Sequence, residues 1–200
     1  MSRGELPVRY RSVYEAGCDE AGRGSLMGPV FAAAVILPDD FPVYVLDDSK
    51  KLSPHQREEA RLLIEKYAIS WAVAQADQHE IDQINILNAS ILAMHRALSQ
   101  LSPQPDLILV DGNRFKKYKN IPYECVVKGD SKLAAIAAAS ILAKTHRDEF
   151  VVKLHDLYPQ YGWASNKGYA TRTHVEAIRR FGYSPFHRKS FHLNLQLKLF

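Results

Sequence analysis

Two hundred residues, 46% of them hydrophobic and 24% charged, can bury a sizeable core without disulfide staples and lack the composition of a disordered chain. The longest uninterrupted apolar run, Val30 to Leu37, is eight residues, whereas a membrane helix needs ~20. Met1 to Pro7 has no apolar stretch of signal-peptide length, so no membrane partner and a cytoplasmic location are expected. Net charge is only +4, but residues 150–200 hold eight Lys/Arg against Asp156 and Glu176, while residues 1–149 are slightly acidic. That asymmetry suits a polyanion such as nucleic acid, and equally a plain basic surface.

In chain order, Val13 to Asp19 and Val30 to Leu37 read as buried strands around a Gly-rich turn, Ala21-Gly22-Arg23-Gly24. Ser53-Pro54-His55-Gln56 has capping-box spacing with proline in the first turn, which predicts a helix running to about Tyr67. A strand from about Ile69 to Ala76 follows. Helical periodicity through Ile84, Leu87, Ile91, Met94 and Leu98 predicts a helix over 79–98. Pro103 and Pro105 precede an apolar strand, Leu107–Asp111; a strand from Tyr123 to Val127 leads into an Ala-rich helix from about Ser131; a last helix covers 171–181 and stops at Gly182. Strands alternating with helices indicate an α/β sheet with helices on its faces. No repeat, low-complexity tract or Gly/Ser linker divides residues 1–200, which are read as one domain. Cys18 and Cys125 are too few for a disulfide framework or a zinc cage and read as small buried residues.

In such sheets functional groups gather where strands end. Asp19-Glu20 closes the first strand, Asp111 closes Leu107–Val110, and Asp130 stands at the entry to the Ala-rich helix. Neighbouring strand residues point to opposite faces, so Asp19 and Glu20 share a site only if the backbone turns there. Taken singly, each acid has an ordinary reading: Asp130 as a helix N-cap, Asp111 as a turn residue, Asp19-Glu20 as a solvated strand end. Converging carboxylates, however, repel one another unless a cation neutralises them, and oxygen-only ligation favours Mg²⁺ or Mn²⁺ over zinc. Asp148 is eighteen residues past Asp130; along a continuous helix that is ~27 Å, so it is assigned with Arg147 to structural pairing.

The ordered motifs Asp19-Glu20-Ala21-Gly22-Arg23-Gly24 with Gly28-Pro29, Asp48-Ser49-Lys50-Lys51-Leu52, Ile84-Asn85-Ile86-Leu87, Val110-Asp111-Gly112-Asn113, Lys128-Gly129-Asp130-Ser131, Ile136 to Lys144 with Arg147-Asp148, Lys167-Gly168-Tyr169 and Ser184-Pro185-Phe186-His187-Arg188 resemble bacterial ribonuclease HII over residues 13–191. The resemblance implies a ribonuclease H-like fold, a mixed five-stranded sheet flanked by helices, with a helical C-terminal extension from about 150. It implies an endonuclease that cleaves the RNA strand of RNA–DNA hybrids and incises 5′ to single ribonucleotides in duplex DNA, leaving 3′-hydroxyl and 5′-phosphate ends. Its catalytic, metal-binding tetrad maps onto Asp19, Glu20, Asp111 and Asp130, using two Mg²⁺ or Mn²⁺ ions.

The resemblance further assigns reading of the 2′-OH to the main chain of Gly22, Arg23 and Gly24, where glycine lets backbone approach a sugar. It places Tyr169 on the deoxyribose beside the junction, although by sequence alone a helix-edge core aromatic reads as well. Phosphate contacts are expected from Lys50, Asn85 and the cationic loop 113–119, which could equally be a solvated hairpin loop. The roles of Lys144 and His187 stay open. Gln196-Leu197-Lys198-Leu199-Phe200 resembles the short peptide by which bacterial replication proteins bind the sliding clamp; the period-two leucines 193, 195, 197 and 199 also suit a tail packed on the body. A monomer is expected. The rival readings are a non-catalytic binder of RNA–DNA hybrids or of the clamp, and a metal-dependent phosphatase on a similar sheet, which the basic C-terminal region does not support.

Overall fold

A computed structural model describes residues 6–11, 14–46 and 52–191. The strands are β1 (Glu15–Ala21), β2 (Val30–Ile36), β3 (Ser70–Ala76), β4 (Leu107–Asp111) and β5 (Tyr123–Val126). They form one sheet in the order β3-β2-β1-β4-β5. β1, β2 and β3 pair antiparallel, whereas β4 and β5 run parallel to β1. The sheet is therefore mixed and five-stranded, as expected, and β1 and β4 end side by side at the same edge. Because β4 and β5 are parallel, the cationic segment 113–119 crosses between parallel strands and is not a hairpin loop.

One face is covered by α2 (Gln78–Ser99), the other by α1 (Pro54–Tyr67) and α3 (Ala134–Leu157). The capping box at Ser53 and Gln56 forms as its spacing predicts. Helix α3 can lie close to β1 because small residues face each other there. A Cβ placed on Gly17 would fall 2.1 Å from the Ala135 carbonyl carbon, and the α3 run Ala134–Ala135, Ala137–Ala139 is buried. This approach sets Ser140 of α3 beneath the end of β1.

Two predicted helices start or run differently. Residues 129–131 form a tight turn and α3 begins only at Ala134, with Leu133 as its cap; Asp130 is thus not a helix N-cap. Helix α2 is interrupted at Asn85, whose φ of 65° and ψ of 164° break the helical path; the Asn85 Oδ1 then accepts the Asn88 N–H at 3.1 Å and restarts the helix. Beyond α3, the short α4 (Trp163–Asn166) and α5 (Arg172–Phe181) pack around Trp163, Tyr161 and Val175 over Leu26 and Met27. Among the described residues no helix is long and apolar enough to cross a membrane.

Candidate active site

The β1/β4 register aligns Cys18 with Val110, so Asp19 and Asp111 occupy the next row and point to the same face, toward α3. Glu20 points to the opposite face. β1 continues through Ala21, pairing there with Phe31, so the turn follows the two acids instead of separating them. They meet across the sheet's end: Glu20 and Asp111 line one cleft of about 290 Å³ with Asn113, Arg114, Ser90 and Met94. Asp19 is buried, bonded to Ser140, and its Oδ1 accepts the Glu20 N–H at 2.7 Å. Asp111 Oδ1 accepts the Gly129 N–H at 2.6 Å, which brings the buried Asp130 to the flank of β4.

Burial pushes the Asp19 carboxyl well above the usual carboxylate range, and the charges of Glu20 and Asp111 push it further. Glu20 is raised too, first by burial and also by Asp111, against the opposing pull of Arg23, whose Nη1 stands 2.9 Å from Glu20 Oε1. Among the described residues no three His, Cys, Asp or Glu side chains stand in a ready-made metal-binding arrangement. The donors nevertheless fit a hard divalent cation. They are oxygen-only, partly desolvated, and mutually repulsive in a way that a cation's charge relieves.

The turn after β1 is held from behind by two buried arginines. Arg188 donates Nη2–H to the Gly22 carbonyl at 2.8 Å, Nη1–H to Arg23 at 2.9 Å and Nε–H to Gly28 at 2.9 Å. Arg147 packs so tightly beneath Gly22 that a Cβ there would lie 2.0 Å from its Nε, and Gly22 has a φ of 93°; both facts demand glycine. The Arg147 guanidinium also lies 5.4 Å from the Tyr169 ring centroid. Tyr169 is 41% exposed, with its ring beside Gly24. The structure thus joins Gly22, Arg23, Gly24 and Tyr169 on one rim, and Tyr169 is not a core aromatic.

Of the remaining predicted residues, Lys50 lies outside the described residues, as does Gln196–Phe200. Asn85 is exposed at the α2 interruption, in a conformation rare for a residue with a side chain. Asn113, Arg114, Lys116, Lys117 and Lys119 are exposed, with Lys119 Nζ drawn back to Gln104 at 3.1 Å. Lys144 pairs with Asp148 at 2.8 Å, closer than the 3.8 Å between Arg147 and Asp148, so Arg147 is engaged mainly elsewhere. His187 is neither a surface residue nor on the rim: it is 1% exposed. Sequence reasoning missed Ser140, Arg147 and Arg188 as site supports. The sequence signal for Ser140 was its place as a hydroxyl within the Ala-rich run 134–143.

The chain matches the family model described as Ribonuclease HII over residues 16–194. It is 57% identical over 188 residues to Ribonuclease HII of Phocaeicola vulgatus, covering 94% of each chain. Among solved structures it is similar to ribonuclease H2 of Pyrococcus horikoshii, with TM-score 0.74 and 26% identity over 88% of this chain and 93% of that one. It also shares the fold of the chain in a PCNA:RNase HII complex of Archaeoglobus fulgidus, with TM-score 0.73, 24% identity and coverage of 90% and 96%.

Proposed function

The chain belongs to the ribonuclease HII family, and from that premise we propose that this type 2 ribonuclease H incises on the 5′ side of ribonucleotides in duplex DNA, besides cleaving the RNA strand of RNA–DNA hybrids, and leaves 3′-hydroxyl and 5′-phosphate ends. The observation that carries the reading is the convergence of Asp19, Glu20 and Asp111 at the paired ends of β1 and β4, with Asp130 brought alongside through Gly129. These four carboxylates would hold Mg²⁺ or Mn²⁺. When bound, a pair of such ions supplies activation of the attacking water and stabilisation of charge on the departing 3′-oxygen.

The chain's own residues do the rest. Ser140 and the Glu20 N–H orient Asp19, and the Gly129 N–H orients Asp111, so that the oxygens are set before a ligand arrives. The main chain of Gly22, Arg23 and Gly24 approaches the ribose and reads its 2′-OH, which separates RNA from DNA. Tyr169 offers its exposed ring to the neighbouring deoxyribose. Arg114 and the lysines of segment 113–119, together with Lys50 and Asn85, hold phosphates and fix register without reading base sequence. The reading has residues 1–200 work as one catalytic domain, as a monomer, in the cytoplasm.

The test is a labelled DNA duplex carrying one ribonucleotide, incubated with Mg²⁺ beside an Asp111→Asn control and mapped at nucleotide resolution. Incision 5′ to the ribonucleotide, lost in the control, supports the proposal; an intact duplex with both Mg²⁺ and Mn²⁺ sinks it.

The sequence Gln196-Leu197-Lys198-Leu199-Phe200 supports a second element, docking of the tail into an apolar groove of a sliding clamp as an extended peptide. Calorimetry with the intact chain and with a chain truncated before Gln196 decides it: equal clamp affinity ends the idea.

A further inference from the structure

Arg147 is a buried cation with poor local compensation. It is 1% exposed; among the described residues its Nε has no hydrogen-bond partner, and the carboxylate paired with it, Asp148, stands 3.8 Å away and pairs more closely with Lys144. Among the described residues its good hydrogen bond runs from Nη2 to the Lys167 carbonyl at 2.9 Å. A buried charge with so little compensation costs desolvation that its neighbours only partly offset. Its charge is thus a poor choice for stability alone, and its position between two parts of the rim accounts for it.

The side chain fills the space between two parts of the rim. On one side its Nε, Cδ and Cζ lie against Gly22. On the other, its guanidinium faces the Tyr169 ring, while its bond to the Lys167 carbonyl fixes the backbone two residues before that ring. The far edges are tied independently: Arg188 clamps the Gly22 and Arg23 carbonyls, and the Leu26 N–H donates to the Gly168 carbonyl at 2.8 Å. With those ties in place, the free variable is the distance and tilt between the glycine turn and the tyrosine ring, and Arg147 occupies the intervening space.

We infer that Arg147 is a positioning residue that sets the spacing between Gly22–Gly24 and the Tyr169 ring, and through it the preference for a ribonucleotide followed by a deoxyribonucleotide over uninterrupted RNA. The inference rests on the proposed reading of those two elements as the sugar-contacting pair. A ribose–deoxyribose step needs both elements at once, the main chain on the first sugar and the ring on the second. A uniform RNA strand does not present a deoxyribose to the ring.

The experiment uses the full chain and two labelled duplexes, one all-DNA except for a single ribonucleotide, the other a uniform RNA strand on DNA. Arg147→Met keeps the stem and removes the fork. It is expected to lower the ratio of kcat/KM for the first duplex over the second by about tenfold, the loss of one aromatic–cation contact and its alignment. In a Tyr169→Ala background the same substitution is expected to lower the ratio no further, because both changes act through one ring. A parallel fall on both duplexes, an unchanged ratio, or full additivity with Tyr169→Ala overturns the inference. Should Arg147→Met unfold, Arg147→Lys is read instead, since an ammonium reaches the carbonyl but cannot spread over the ring and the turn together. A wild-type chain that cuts neither duplex overturns the nuclease reading itself, which is a separate outcome.

Discussion

Asp19 and Asp111 stand in one row of the parallel β1/β4 ladder, one position beyond the Cys18–Val110 pair. Two acids in one row at adjacent strand ends, Asp19 buried and Asp111 half-buried, repel each other, and Glu20, which shares a cleft with Asp111, adds a third charge. Such a row is maintained against folding stability.

Asp111→Asn should therefore abolish cleavage while making the metal-free protein more stable. Asn Oδ1 can still accept the Gly129 N–H, so the local structure keeps its bond. Relief of the repulsion on Asp19 and Glu20 is expected to contribute about 1 kcal/mol, or roughly 2–4 °C in Tm. Calorimetry of both proteins in chelator checks this, and a lower Tm for the variant contradicts the electrostatic account.

Addition of Mg²⁺ or Mn²⁺ to the chelator-treated protein should raise its Tm in proportion to occupancy. Removal of the metal should return it to the starting value. If Asp111 belongs to the proposed metal-holding set, the rise should be far smaller in Asp111→Asn, because a hard cation would lose a charged oxygen ligand there. Equal rises in both proteins would place the metal elsewhere.

Gly17→Ala tests the helix–strand contact that carries the site. The new methyl would meet the Ala135 carbonyl carbon at 2.1 Å and the Ile136 nitrogen at 2.4 Å, both backbone atoms. Helix α3 must move or the strand must bend, at a cost of about 1–3 kcal/mol or more. Ser140 would then shift away from Asp19. Urea unfolding together with cleavage rates checks the pair of effects; loss of stability with unchanged activity would show that the Ser140 bond is dispensable.

The C-terminal segment carries a pH dependence of its own. The Trp163 Nε1–H donates to His174 Nε2 at 2.9 Å, and the His174 Nδ1 bonds the Tyr169 carbonyl at 2.9 Å. His187 Nδ1 accepts the Ser184 N–H at 2.8 Å, and the two Nε2 atoms meet at 3.2 Å. This network suits two neutral rings. Burial, and then the neighbouring His174, lower His187 to about 4; burial lowers His174 as well. A histidine depressed in the fold binds its proton more readily when unfolded. Stability is thus complete above pH ~6.5 and declines as pH falls toward about 4, by about 3 kcal/mol for His187. The raised Asp19 and Glu20 act in the opposite sense over that range. Unfolding midpoints between pH 7.5 and 4.5 should therefore fall less steeply in His187→Gln than in the parent, and identical slopes would rule out this origin.

Much of the fold was legible in local pattern. The capping box at Ser53 and Gln56 began α1 where its chemistry demanded, and the proline-flanked run Leu107–Asp111 became β4 residue for residue. Asn85 defied the periodicity around it because apolar spacing on either side cannot report one backbone reversal, which its own amide then stabilises. The role of His187 stayed open because nothing local in its sequence marks it as buried. Its burial depends on α5 and the 184–191 segment closing over Trp163, contacts distant in sequence.

By itself, the order of residues determined the strand and helix types, the motif order that marks the family, and the acids at strand ends. Those are local properties, set by side-chain period, caps and turn residues. Only the tertiary structure decided that Glu20 and Asp111 line one cleft beside the buried Asp19, with no turn between Asp19 and Glu20, because sheet register and the close seat of α3 on Gly17 set that geometry. It alone placed Arg147 between Gly22 and Tyr169. A lone cation in a helical sequence does not show which carbonyl, ring or glycine the fold will bring to it, since long-range packing selects those partners.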